Sequence, residues 1–119
     1  MKLGKTNGFS RCERVKRSEE IQKLFKEGWR FNTDGAKLFV LNNNLKQNRI
    51  AITLSRGYGN SVKRNMSKRL SREAYRNMKK NLKTGFDLLF LCFPGKDNFV
   101  MRIEQFNFLF KKAGLLQEM

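Results

Sequence analysis

Apolar positions change their spacing several times along the chain, and each change marks an element. Ile21, Leu24 and Phe25 recur at helical spacing. Ser18 is a favourable N-cap before them, Glu19 and Glu20 suit the positive end of the helix dipole, and Gly28 suits the stop. Residues 37–41 and 49–55 read as strands, the second as RIAITLS, with a turn across Asn42, Asn43, Asn44 and the polar stretch to Asn48. A short strand over 30–32 precedes them, closed by an Asp34-Gly35 turn. Arg56, Gly57, Tyr58, Gly59 and Asn60 form a loop, and Asn60 or Ser61 caps a long helix over 61–81. Thr84-Gly85 ends that helix. The nearly continuous apolar run 86–93 predicts a strand covered on both faces or near the sheet centre. Pro94-Gly95 turns the chain into a last helix over 101–113, with Ile103, Phe106, Leu109, Phe110 and Ala113 inward and Gly114 beyond its end. The order α-β-β-β-α-β-α predicts an α/β chain of the α+β two-layer sandwich kind, with helices packed on a small sheet.

Charge sharpens this picture. The 119 residues carry 26 Lys and Arg against 10 Asp and Glu, a formal net charge of +16. A compact chain so charged repels itself and calls for an anionic partner. Residues 1–17 hold Lys2, Lys5, Arg11, Arg14, Lys16 and Arg17 against Glu13 alone, and read as a basic mobile arm before a single domain over 18–119. The charge is densest in the long helix. There Val62, Met66, Leu70, Ala74 and Met78 recur every four residues, as do Arg64, Lys68, Arg72, Arg76 and Lys80. The two series start two residues apart, so they fall on roughly opposite sides: the first is expected to pack on the sheet, the second to stay in solvent. Lys63, Arg69 and Lys79 widen the charged side, and Glu73 is the sole acid in 61–81. Solvated faces usually mix both signs, whereas like charges at i,i+4 repel, so this side is read as a phosphate-binding face.

Other chemistry is sparse. The chain has no His, which removes imidazole acid–base and ligand chemistry. Its acids are scattered, with no close D-x-D or E-x-x-D cluster of the two-metal nuclease kind. Cys12 and Cys92 are far apart and make no zinc pattern. No signal peptide or membrane-spanning run is seen, so a cytoplasmic setting with both thiols free is expected.

Residues 59–73, GNSVKRNMSKRLSRE, resemble the signature of the bacterial ribonuclease P protein family, approximately G-N-A-V-x-R-N-R-x-K-R-x-x-R-E. Residues 14–28, with Glu20-Ile21-Gln22-Lys23-Leu24-Phe25 inside them, resemble that family's first helix, and the resemblance runs from about Cys12 to Ala113. Two positions depart from it: Met66 replaces the second Arg of the R-N-R core, and Gly57 stands where many members have a second basic residue after Arg56.

The resemblance implies an α/β sandwich with a left-handed βαβ crossover, against the usual hand. It implies the protein subunit of a ribonucleoprotein that removes the 5′ leader from precursor tRNA, with the hydrolytic centre and its Mg²⁺ held mainly by the RNA subunit. The partners implied are the catalytic RNA and precursor tRNA, with no membrane and no protein partner required. Arg56, Lys63, Arg64, Asn65, Lys68, Arg69 and Arg72 are the implied RNA-binding residues. Ile21, Phe25, Phe39, Leu41 and Asn42 are the implied leader-binding cleft, where an aromatic ring could stack an unpaired base; Asn42 takes the place of a family-typical Tyr. No catalytic residue is expected on the protein itself. The competing readings are a structural RNA-binding protein such as a ribosomal protein, a stand-alone nuclease, which the missing acid–base cluster disfavours, and a membrane-surface protein, which needs an apolar stripe that the core already uses.

Overall fold

The computed structural model describes residues 13–117 apart from Lys96. Its elements are α1 (Ser18–Glu27), β1 (Trp29–Thr33), β2 (Ala36–Asn42), β3 (Arg49–Leu54), α2 (Ser61–Met78), β4 (Phe86–Cys92) and α3 (Phe99–Lys112). The long helix is shorter than its charge pattern suggested, because Lys79–Asn81 tighten into a 3₁₀ turn. The sheet order is β1-β2-β4-β3. β1 pairs antiparallel with β2 through the two-residue Asp34-Gly35 hairpin, where Gly35 has φ 81°. β4 enters between β2, antiparallel, and β3, parallel, so α2 is the crossover of a β3–α2–β4 unit.

β4 has a strand on each side and a helix layer over each face. That is why its apolar run is continuous rather than alternating: Leu88, Leu89 and Phe90 are all fully buried. On β2 the faces alternate. Leu38 and Val40 join Leu88, Phe90, Phe106, Leu109 and Phe110 in the main core beneath α2 and α3. Phe39 joins Leu24, Ala51 and Leu89 in a smaller core beneath α1, on the opposite face.

Several local expectations change. Arg17, not Ser18, is the N-cap residue of α1, and it makes no side-chain cap bond. Gly28 does end α1, but in extended backbone; a Cβ there would lie 2.5 Å from the Leu24 carbonyl oxygen and 3.3 Å from Phe39 Cβ, so close packing requires the glycine. At Gly114, by contrast, φ is 74°, the left-handed residue after the helix end. Asn60 caps α2, its side chain accepting from Lys63 N at 2.9 Å. Most of the basic arm expected over 1–17, and Cys12 with it, lies outside the described residues. Its last part continues the sheet: the Val15 N–H donates to the Ile50 carbonyl at 3.2 Å, and Val15 is buried.

Candidate RNA-binding site

The inner face of α2 differs from the one the four-residue series predicted. Ser67, Ser71, Ala74 and Tyr75 are the buried residues. Val62 and Met66 are 67% and 59% exposed. The reason is geometric: a strict four-residue series drifts by about 40° per step on a helix of 3.6 residues per turn, hence by about 160° from Val62 to Met78. Ala74 and Met78 reach the core; Val62 and Met66 have rotated out to solvent, and Leu70 is half-buried between. Met66 therefore shares the outer surface with Arg69 and Asn65, where one more cation of the signature would sit.

The cationic series drifts in the same way. Lys63, Asn65, Arg69 and Arg72 are exposed, while Arg64 and Lys68 are half-buried along one edge. Arg64 donates to the Ser55 carbonyl at 3.5 Å, which ties the start of α2 to the end of β3. Arg56 is exposed on the turn between these two elements, with Gly57 following at φ 76°. Glu73 is engaged by Arg76 at 3.0 Å. The first turn of α2 holds no acid, so nothing there offsets the cost of cations at the positive end of the helix dipole. Arg72 lines a depression together with Arg14, Lys16, Ile21, Ile50 and Ala51. Its guanidinium is held below the ordinary arginine value, by burial first and then by the positive charges of Arg14 and Arg69. Like charges are thus brought together against their own repulsion, an arrangement a polyanion relieves.

The five cleft residues are not gathered into one depression. Ile21 lines the one shared with Arg72, whereas Leu41 and Asn42 line another with Lys23, Asn43 and Asn44. Phe39 is only 4% exposed and belongs to the core beneath α1. Phe25 is 38% exposed and meets Phe39 edge-on, with ring centroids 5.0 Å apart. Phe25 is therefore the ring presented to solvent. Asn42 turns its side-chain oxygen to the Asn44 N–H at 3.2 Å. The polar depression is braced by Arg49, which grips Asp87 with two bonds of 2.8 and 2.7 Å and Glu20 of α1 at 3.2 Å. The hydrogen bonds to Asp87, with its charge and that of Glu20, push the Arg49 guanidinium above its ordinary value.

One buried group escaped the sequence reading. Arg102 of α3 is 1% exposed, inside a helix whose other inward residues are apolar. The only hint in the sequence is the pair Ser67 and Ser71, small and polar four residues apart, where a packed helix usually carries bulk.

Among the described residues no three His, Cys, Asp or Glu side chains come together as a metal site. Asp87 and Asp97, the half-buried aspartates, face guanidinium groups. Among the described residues, these two carboxylates are thus engaged by arginine. Among the described residues no helix is long and apolar enough to cross a membrane.

A basic, His-free helix braced on a small α+β sheet is the electrostatic footprint of the nucleic-acid-binding class of domains. Residues 9–114 match the family described as Ribonuclease P. The ribonuclease P protein component of Natranaerobius thermophilus is 36% identical over 112 residues, covering 92% of this chain and 97% of the relative. That of Borreliella burgdorferi is 41% identical over 85 residues, covering 69% and 71%. Among solved structures, the Thermotoga maritima RNase P protein superposes with a TM-score of 0.74 at 26% identity, covering 84% of this chain and 96% of that one. A mutant Staphylococcus aureus RNase P protein gives 0.82 over 98% and 100%, and at 20% identity it speaks for the fold alone. The chain belongs to the ribonuclease P protein family.

Proposed function

We propose that this chain is the protein subunit of a ribonuclease P, assisting endonucleolytic removal of the 5′ leader from precursor tRNA. The observation that carries this reading is the cationic side of α2. Residues 61–72 contain no carboxylate, and the positive charges of Arg14 and Arg69 lie close enough to Arg72 to disfavour its protonated form, a density of like charge that a polyanion relieves. This side is assigned to the catalytic RNA, through Arg56, Lys63, Arg64, Asn65, Lys68, Arg69 and Arg72. The leader of the substrate is assigned to the α1 side, with Phe25 offering its exposed ring to an unpaired base and Ile21, Leu41 and Asn42 bordering the path. The hydrolytic step and its Mg²⁺ are assigned to the RNA. The protein contributes binding, orientation and neutralisation of crowded phosphate charge.

Reconstitution tests this directly. The purified chain alone should leave precursor tRNA intact. Adding the catalytic RNA at low Mg²⁺ should give 5′ processing faster than the RNA gives by itself. Robust cleavage by the chain alone would place the chemistry on the protein and overturn the division of labour. A chain that binds RNA without stimulating cleavage would instead be a structural binder of the ribosomal kind.

A further inference from the structure

Beneath the RNA-facing side of α2 lies a polar cluster that no part of the proposed function uses. Arg102 reaches from α3 towards the two small residues on the inner face of α2. Its Nη1 donates to Ser71 Oγ and to Ser67 Oγ at 3.3 Å, and its Nη2 donates to the Asp97 carboxylate. The Tyr58 hydroxyl donates to the same carboxylate at 2.7 Å and lies 2.9 Å from Ser67 Oγ. Ser71 Oγ in turn donates to the Ser67 carbonyl at 2.9 Å. Burial first, and then the bond to Asp97, push the Tyr58 hydroxyl up to about 12, so it stays a donor at neutral pH. The Phe90 ring lies under the guanidinium, 5.9 Å from centroid to Cζ.

Stability alone does not account for this arrangement. A buried guanidinium–carboxylate pair is often matched or bettered by apolar side chains of similar volume. Satisfied buried polar networks instead fix one geometry, because each donor has one place to go. What this network joins is specific. Tyr58 sits two residues after Arg56, in the loop between β3 and α2; Ser67 and Ser71 lie on α2 beneath the Arg64–Arg72 stretch; Asp97 and Arg102 come from the start of α3 and the loop before it.

We propose that Arg102 is a positioning residue for RNA binding: with Asp97 and Tyr58 it locks the Arg56 loop to the basic helix, so that Arg56 is presented in one array with Arg64 and Lys68. The inference rests on the RNA-binding reading of α2. Without the lock, ordering the loop bearing Arg56 costs more than its one phosphate contact returns, so that contact is lost and the complex weakened.

The test compares wild type, R56A, the charge-balanced pair R102M/D97N, and the triple variant. Thermal unfolding is measured on each, and affinity for the catalytic RNA across a salt series. R102M/D97N should unfold close to wild type and bind about 3- to 10-fold more weakly, the range for ordering one or two long side chains. Its salt slope should be shallower by about 0.7–0.9, one phosphate contact. R56A should weaken the wild type by a similar factor and the R102M/D97N background hardly at all. Should R102M/D97N not fold, Y58F keeps the ion pair and removes only the loop's tether; weaker binding with the same loss of coupling to R56A supports the proposal. A folded R102M/D97N or Y58F that binds like wild type overturns it, as do fully additive effects with R56A. If the wild-type chain neither binds nor stimulates the catalytic RNA, the functional reading fails first and the positioning role goes with it.

Discussion

Replacing Arg72 by methionine separates the charge of the helix from its packing. Arg72 lines the depression formed with Ile21, Ile50 and Ala51, while burial and the nearby Arg14 and Arg69 charges disfavour its protonated form. Methionine keeps most of the apolar stem and removes the charge. For folding, the variant loses a like-charge neighbour at i,i+3 from Arg69, a relief of roughly 0.2–0.5 kcal/mol. A slightly poorer fill of the depression offsets part of that. The free energy of unfolding should therefore change by no more than about 0.5 kcal/mol, as at ordinary surface sites. For RNA binding, one phosphate contact disappears, and the slope of log affinity against log salt should fall by about 0.7–0.9. Between about 50 and about 200 mM salt, the ratio of wild-type to variant affinity should then itself shrink roughly threefold. Anisotropy titrations of the labelled catalytic RNA across that range, with urea unfolding of both proteins, measure both quantities. Parallel salt slopes would refute the assignment of Arg72 to a phosphate. A loss of more than about 1 kcal/mol of stability would show that the guanidinium has a structural partner inside the protein.

Met66→Arg should leave stability unchanged, because the side chain is 59% exposed, and should steepen the salt dependence by about 0.7–0.9; a marked drop in unfolding temperature would mean that Met66 packs after all. Phe25 and Phe39 should behave oppositely. Phe25→Ala should keep the fold and weaken binding of leader-bearing precursor tRNA by about 1–3 kcal/mol relative to mature tRNA, a difference that equal losses on both RNAs would contradict. Phe39→Ala, at a position 4% exposed, should cost about 3–5 kcal/mol of stability in chemical denaturation, and a loss below about 1 kcal/mol would show that this ring is not core.

The sequence alone determined the elements and the chemistry of the long helix. Spacing placed β4 as a covered strand, because an uninterrupted apolar run has no solvent face to offer, and Leu88, Leu89 and Phe90 are buried accordingly. The single-sign charge of residues 61–72 singled out the helix proposed to face RNA, since like charges at i,i+3 and i,i+4 repel one another unless an anion offsets them. Tertiary structure alone decided which way that helix turns. A four-residue series drifts around the axis, so one list of apolar positions supplies core at Ala74 and open surface at Met66, and only the sheet and α3 settle where the boundary falls. The same holds for the aromatic rings: Phe25 and Phe39 are alike in the sequence, and the packing of α1 leaves one exposed and buries the other. Arg102 was illegible for a related reason. Residue type predicts an exposed guanidinium, and only Asp97, Ser67, Ser71 and Tyr58, from three separate stretches of chain, supply the partners that let it be buried.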